Sequence, residues 1–190
     1  EDVMRFLDNV LQDFIDRAPE GMERAKYSAM RERSVGLGVM GFHSFLQSQN
    51  VPFESVIAKV WNIRMFKHIR GQADQASRLL ADERGACPDA ADYGIQERFS
   101  NKMAIAPTAS ISIIAGNSSP GIEPIAANVF LQKTLSGSFT VRNRHLQKLL
   151  EAKGQDTPEI WSSITTNKGS VQHLDFLTEQ EKAVYKTAFE

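Results

Sequence analysis

Cysteine is almost missing from this chain of 190 residues, in which Cys87 is the only one. A single cysteine cannot form an internal disulfide framework, and such cysteine usage is typical of the reducing cytoplasm, where we expect the protein to be. Long apolar runs are missing as well, because no stretch approaches the roughly 20 residues that a membrane-spanning helix needs. The sequence therefore predicts neither a disulfide-stabilised secreted protein nor a membrane protein.

An excess of positive charge is also missing. Lys and Arg number 22, Asp and Glu number 23, and the formal net charge is −1. Proteins that bind nucleic acids usually carry a basic surface, so we expect no nucleic-acid partner. The four histidines show no metal-ligand spacing with a carboxylate or with the cysteine. This spacing predicts no metal site. We also expect that no cofactor is bound by this chain.

The apolar content of 42% is enough to form the core of a globular domain. Six segments show the apolar spacing or the end signals of helices, and these are 3–15, 42–49, 54–84, 145–153, the segment that begins at 156, and the segment from a capping box at 178–181 to 190. Alternating residues on either side of Leu135-Ser136-Gly137 predict a β-hairpin over 128–141. The polar segment 20–33 is predicted to be a loop with a helical turn.

Two short apolar runs, 34–41 and 103–106, are predicted to be buried strands. The first carries Gly36, Gly38 and Gly41, a spacing that resembles the G-x-G-x-x-G loop of dinucleotide-binding proteins. Such a loop has its glycines in the turn after a strand, whereas these lie within the run itself. We therefore interpret them as sites of close backbone packing rather than as a nucleotide loop.

The most informative stretch follows the second run, because Pro107 ends that run and small hydroxyl residues come next. Thr108, Ser110 and Ser112 stand at alternate positions, and the sequence predicts a tight turn and the first turn of a short helix. Free backbone N–H groups at such a helix start, with hydroxyls beside them, form an anion site. We predict that a phosphate is bound by Pro107, Thr108, Ala109, Ser110, Ile111 and Ser112. The residues alone leave open that the hydroxyls only cap the helix.

Seven stretches resemble, in the same order, the large catalytic (α) subunit of class I ribonucleotide reductase, and these are 33–41, 83–87, 106–110, 116–124, 135–139, 143–146 and 184–187. Each match is short, but together they span nearly the whole chain. The resemblance implies an α/β fold, namely the C-terminal portion of a ten-stranded α/β barrel, helix-rich, with the β-hairpin as an excursion. Residues 1–190 would then be a single partial domain, without the finger loop, the ATP-cone and the extreme C-terminus of that subunit.

The resemblance also implies a function. This family reduces ribonucleoside diphosphates to 2′-deoxyribonucleoside diphosphates by radical chemistry for DNA synthesis, and its loop that matches 107–112 binds the phosphates of the substrate. The family's N-L-C-x-E cysteine motif and its redox cysteine pair are not found in this sequence. The resemblance therefore assigns no catalytic residue to these positions, and we expect the fragment alone to be inactive.

The expected partners follow from the same resemblance. They are a ribonucleoside diphosphate, the remainder of the large subunit, and a small subunit whose metal centre generates the radical. ATP and other nucleotides are expected as effectors of the parent protein. Two alternatives stay open, namely the adenosylcobalamin-dependent class of the same reductases, which shares the barrel, and a non-catalytic α/β module that binds phosphate or a nucleotide.

Overall fold

The computed structural model describes residues 1–135 and 137–190. Ser136, which the sequence places in the hairpin bend, lies outside the described residues. The chain divides into two compact units. Unit 1 consists of Glu1–Gly38 and Asn62–Ala106, and unit 2 consists of Val39–Trp61 and Pro107–Glu190. That residues 1–190 form one partial domain stays a prediction.

Helices dominate the described residues, among which one two-stranded sheet is present. In chain order the elements are α1 (Asp2–Arg17), α2 (Glu23–Glu32), α3 (Phe42–Ser48), α4 (Val56–Arg84), α5 (Pro88–Ala91), α6 (Ile111–Ile114), β1 (Val129–Thr134), β2 (Gly137–Arg142), α7 (Arg144–Ala152), α8 (Pro158–Thr166) and α9 (Glu179–Val184). The helices predicted at 3–15, 42–49, 54–84 and 145–153 are confirmed as α1, α3, α4 and α7. The predicted hairpin is confirmed as β1 and β2.

The core of unit 1 contains one face of α4. Ala73, Ala76 and Leu80 lie on this face at three- and four-residue spacing, as expected for an amphipathic helix. They pack with Met4 of α1 and with Phe99, and all five residues are at most 3% exposed. The apolar spacing read from the sequence therefore identifies the buried side in this part of α4 only, because the apolar residues of the same pattern at 56, 60 and 63 are 58–78% exposed.

The segment 20–33 differs from its prediction, because Glu23–Glu32 form the ten-residue helix α2 rather than a loop with one helical turn. None of the residues of α2 is buried, so burial does not explain this helix. Most of them are Glu, Arg, Ala, Lys or Met, which have high intrinsic helix propensity. Arg31 in the last turn also forms ion pairs with Asp89 and Asp92 in the same unit. Propensity and these ion pairs account for a helix that has no buried face.

The two predicted strands meet, but they form less sheet than the sequence suggests. Leu37 and Met103 make an isolated parallel bridge, and the N–H of Ala104 donates to the Leu37 carbonyl at 3.1 Å. Ile105 is 73% exposed, so the prediction that 103–106 is buried is wrong. Strands of a parallel sheet are buried because other strands lie beside them and helices cover both faces of the sheet. Among the described residues this segment has a strand-like partner on one side only.

Gly36 and Gly38 lie against this segment, which confirms the interpretation of close backbone packing. A Cβ atom on Gly38 would stand 2.7 Å from the carbonyl oxygen of Ala104, and one on Gly36 would stand 2.9 Å from the Ala104 Cβ. Both distances are shorter than van der Waals contact, so neither position has room for a side chain. The two glycines thus serve the packing of extended segments rather than a nucleotide loop.

Unit 2 builds its core between the base of the hairpin and the helices that follow it. β1 and β2 pair antiparallel, with Val129 opposite Arg142 and Phe130 opposite Val141. Thr157 accepts a hydrogen bond from the backbone of α8 and begins that helix, as the sequence predicts. The buried residues of this core are Val129, Leu146, Leu150, Trp161, Ile164, Val171, Leu174, Leu177, Val184 and Tyr185.

The last helix is shorter than predicted. The capping box expected at 178–181 is confirmed. However, α9 ends at Val184 instead of reaching the end of the chain. Tyr185 is 3% exposed in the core of unit 2, and the N–H of Ala188 donates to the carbonyl of Ile125 at 2.8 Å. The chain leaves the helical path because its last residues make these contacts with a distant segment of the same unit.

A buried charge cluster in unit 1 surrounds Asp8, whose side chain is fully buried. Its Oδ1 accepts hydrogen bonds from Arg33 at 2.7 Å and Arg98 at 3.0 Å, and its Oδ2 accepts one from Arg84 at 2.7 Å. Burial pushes the pKa of Asp8 upward, but the hydrogen bonds from Arg98, Arg33 and Arg84 outweigh it and hold the pKa below its ordinary value. Removing one member of this cluster would therefore leave a buried charge without its partner, which strongly destabilises a folded protein.

The substitution Asp8→Asn is expected to lower the free energy of unfolding by about 3–5 kcal/mol, since it leaves two buried guanidinium groups without a counter-ion. Urea denaturation at neutral pH measures this difference. Asp13→Asn is the matched control on the same helix, because the Asp13–Arg17 pair at 2.9 Å is exposed. Its loss should stay below about 1 kcal/mol. Equal losses for the two variants would contradict the expected cost of leaving the buried arginines without a counter-ion.

Candidate functional site

The turn after Pro107 is held in an unusual backbone conformation. Thr108 has a φ of +51°, in the left-handed region that a β-branched residue rarely adopts. Such a conformation costs about 1–3 kcal/mol and persists only when its surroundings hold it. The Oγ1 of Thr108 accepts a hydrogen bond from the N–H of Gly121 at 2.8 Å, and its carbonyl accepts one from the N–H of Ser112 at 2.9 Å. Two hydrogen bonds thus fix a strained residue three positions before the start of α6.

Three consecutive backbone N–H groups are unpaired in this turn. Within residues 1–135 and 137–190, no hydrogen bond uses the N–H of Ala109, Ser110 or Ile111 as its donor. All three residues are exposed, and so is Pro107 before them. Unpaired N–H groups at a helix start and in a tight turn attract anions. The turn therefore offers the backbone donors that the sequence predicts for a phosphate.

The three hydroxyl groups of the turn differ in availability. Ser110 makes no capping hydrogen bond with α6, so the helix does not engage its hydroxyl. The Oγ1 of Thr108 is an acceptor for Gly121, which leaves its proton free to donate elsewhere. Ser112 is 3% exposed, and its Oγ donates to the carbonyl of Ala109 at 3.3 Å. Thr108 and Ser110 are therefore the accessible hydroxyls, while the hydroxyl of Ser112 maintains the shape of the turn.

A cavity of about 270 Å³ adjoins the turn within unit 2. Ile113 lines it from α6, and Phe130, Arg144 and His145 line it from the hairpin and α7. Burial lowers the pKa of His145, and the charges of Arg144 and Lys148 lower it further. The cavity thus combines apolar walls with a cationic side chain. Arg144 and His145 lie in the stretch 143–146 that carries part of the family resemblance, but the sequence did not predict them at this site, because only the fold brings the start of α7 next to this turn.

His43 of α3 is fully buried and contacts a segment that lines the cavity. Its Nδ1 accepts a hydrogen bond from the N–H of Ile125 at 3.0 Å. Burial lowers the pKa of His43 to about 4; the charge of His145 acts in the same direction, and a hydrogen bond to the Val184 backbone acts against it. The imidazole is therefore uncharged at neutral pH, and its Nδ1 stays an acceptor.

No group of three or more His, Cys, Asp or Glu residues could hold a metal ion in the part of the chain that the structure describes. In the same residues, no helix is both long enough and apolar enough to cross a membrane. Cys87 has a free thiol, and its side chain is fully buried.

One protein family matches the chain along its whole length. The family described as "Ribonucleotide reductase, barrel domain" matches residues 1–97 and 89–190. The chain belongs to this ribonucleotide reductase family. The resemblance carried by the short sequence stretches is thereby confirmed.

Individual reductases show how much of the family's length this chain represents. The ribonucleoside-diphosphate reductase large subunits of Invertebrate iridescent virus 6 and Invertebrate iridescent virus 3 are each 49% identical to it, over 194 and 189 aligned residues. These alignments cover 100% and 98% of this chain but 20% and 30% of the two viral proteins. The solved structure of the Actinobacillus ureae class Id ribonucleotide reductase alpha subunit is 41% identical with a TM-score of 0.87, covering 97% of this chain and 34% of that one. The chain thus spans between a fifth and about a third of the length of these reductases.

Acid is expected to destabilise this reductase segment through His43. The unfolded chain has the ordinary histidine pKa of about 6.5, so it binds the proton before the folded state does as the pH falls. The stabilising contribution is complete above pH 6.5 and is lost between pH 6.5 and the folded pKa of about 4. This loss amounts to about 3 kcal/mol.

Urea denaturation between pH 7 and pH 4 measures this effect. The control is His43→Asn, which keeps a hydrogen-bond acceptor near the Nδ1 position but cannot take up the proton. This variant should lose less stability over the pH window than the natural chain does. Parallel pH profiles for the two proteins would show that His43 does not titrate with unfolding.

Proposed function

We propose that this chain is part of a ribonucleoside-diphosphate reductase, an oxidoreductase that reduces ribonucleoside diphosphates to 2′-deoxyribonucleoside diphosphates by radical chemistry. We propose further that residues 107–112 bind the diphosphate of the substrate. Membership of the reductase family and the 49% identity to viral large subunits support the activity. The three adjacent unpaired N–H groups at the start of α6 are the observation that carries the role of the loop.

The loop is suited to positioning the substrate. The N–H groups of Ala109, Ser110 and Ile111 and the hydroxyls of Thr108 and Ser110 are all donors, as a phosphate requires. A hydrogen bond to a charged phosphate oxygen contributes about 1.5–3 kcal/mol. Because the bond from Gly121 already holds the turn in shape, little ordering is left for the ligand to impose. The loop would thus fix the ribose in place, while the radical chemistry takes place on groups outside these residues.

The architecture that we propose is the C-terminal portion of the ten-stranded α/β barrel. The parallel bridge between Leu37 and Met103 has the strand direction of such a barrel. The exposed side of 103–106 would be covered by a neighbouring strand from the remainder of the large subunit. A metal-containing small subunit would supply the radical. The 41% identity to a class Id alpha subunit favours class I over the adenosylcobalamin-dependent class.

The substitution Ser110→Asp tests the loop directly. A carboxylate beside the three N–H groups repels the phosphates, so we expect binding of a ribonucleoside diphosphate to weaken by about 10-fold or more. Ser162→Asp adds the same charge at an exposed position of α8 and should leave the affinity unchanged. Calorimetric titration of the full-length protein gives both Kd values. The corresponding nucleoside, which lacks phosphates, should bind all three proteins equally.

Unchanged diphosphate affinity in the Ser110→Asp protein would argue against the loop as the phosphate site. Reduction is measured separately, as formation of the 2′-deoxyribonucleoside diphosphate by the full-length protein together with its radical-generating small subunit. Product formation supports the reductase. Binding of the diphosphate without any product would instead favour the non-catalytic phosphate-binding module.

A further inference from the structure

The helix α3 begins without a capping side chain of its own. Its N-cap residue is Gly41, which has a φ of +81° and no side chain that could accept a hydrogen bond. The first backbone N–H groups of any helix have no partner within that helix and need an acceptor from elsewhere. For α3, this acceptor comes from a turn some 75 residues further along the chain.

The turn at 119–121 supplies the missing acceptors. The N–H of Ser44 donates to the Oγ of Ser119 at 3.1 Å, and the N–H of Ser119 donates to the Oγ of Ser44 at 2.8 Å. The carbonyl of Ser119 also accepts the N–H of Gly41 at 2.8 Å. Ser44 is 8% exposed and Ser119 is 1% exposed, so water cannot replace these bonds. The two serines therefore lock the turn onto the start of α3.

The same turn also holds the strained residue of the phosphate-binding loop. Gly121, two residues after Ser119, donates its N–H to the Oγ1 of Thr108 at 2.8 Å. If the turn moves, this bond is lost, and Thr108 can relax from its φ of +51° to a more common backbone conformation. Relaxation at Thr108 would rotate the N–H groups that follow it, so that they no longer point toward one and the same phosphate.

We propose that Ser119, paired with Ser44, is a positioning residue for diphosphate binding, acting through Gly121 and Thr108. This inference rests on the function proposed for residues 107–112. Ser119 has no contact with the substrate in this proposal. It sets the shape of the loop, so its effect falls on ground-state binding of the phosphates and hence on KM rather than on kcat.

The test is steady-state reduction of a ribonucleoside diphosphate by the full-length protein with its small subunit. Ser119→Ala should raise KM by about 10-fold and leave kcat within about twofold. Ser119→Cys keeps a weak acceptor and should show a smaller rise. Ser55→Ala is the matched control, because the Oγ of Ser55 accepts the N–H of Ala58 at 3.1 Å at another helix start in unit 2. It removes a similar hydroxyl without a link to the loop and should leave KM unchanged.

Hydrogen exchange supplies a readout that needs no turnover. The amide of Gly121 should exchange faster in Ser119→Ala than in the natural protein, and at an unchanged rate in Ser55→Ala. If Ser119→Ala does not fold, Ser44→Ala replaces it, because it removes the other half of the same pair and should raise KM likewise.

The outcomes separate this inference from the proposed function. An unchanged KM in both serine variants, together with a raised KM in Ser110→Asp, would overturn the positioning role and leave the loop assignment standing. An unchanged KM in Ser110→Asp as well would overturn both. A fall in kcat with unchanged KM would also contradict the proposal, because a positioning residue for the phosphates acts on binding.

Discussion

Buried polar groups must find partners inside this protein, and this constraint determines how its irregular segments are held. Within the described part of the chain, every buried side-chain nitrogen and oxygen has a hydrogen-bond partner. In unit 2, the Nδ2 of Asn143 donates to Gln47 at 3.0 Å and to Asn128 at 2.8 Å, while its Oδ1 caps α7. The amide of Asn128 donates in turn to the carbonyls of Gly169 and Tyr185. This pair of side-chain amides therefore connects the open end of the hairpin to the backbone carbonyls of two distant segments.

In unit 1, the buried polar groups that need partners are charged side chains instead of amides, and they pair with one another. Asp8 of α1 joins Arg33, which follows α2, Arg84 at the end of α4, and Arg98 in the segment after α5. Replacing such a cluster by apolar residues can be neutral, whereas removing one member exposes the full cost of burying the others. The cluster is thus better understood as a device that fixes the relative placement of four segments than as a large net source of stability. The neutral amides of unit 2 fix their segments with a smaller desolvation cost.

Most of the features that the sequence predicted correctly are decided by near neighbours. The helices predicted at 3–15 and 54–84 and the capping box at 178–181 depend on contacts within a few residues, and all three are confirmed. The exposure of Ile105 and the early end of α9 depend on distant segments, so local patterns could not reveal them. The formation of α2 shows a third limit, because a polar stretch without an apolar face can still be helical through propensity.

The candidate site shows the same difference between features set by near neighbours and features set by distant segments. Alternating hydroxyls after Pro107 indicated the turn, but only the fold shows which of them are engaged. The inward position of Ser112 depends on the carbonyl of Ala109, and the left-handed conformation of Thr108 depends on Gly121, thirteen residues away in sequence. No local pattern encodes the second contact. Thr108 therefore needs both kinds of information. The sequence indicates a hydroxyl that can bind an anion, and the structure shows the left-handed conformation of its backbone.

The chemistry of the loop also fits the reaction that we propose for it. The diphosphate is the same in the substrate, the transition state and the product of a ribonucleotide reduction, so uniform binding of the phosphates lowers KM without raising kcat. A cluster of arginines would bind substrate and product tightly and would slow release of the product. The free donors of this turn are neutral backbone N–H groups and hydroxyls, which give directional hydrogen bonds with less net charge. A rigid turn with neutral donors fixes the orientation of the substrate while keeping its affinity moderate, which is what a positioning loop requires.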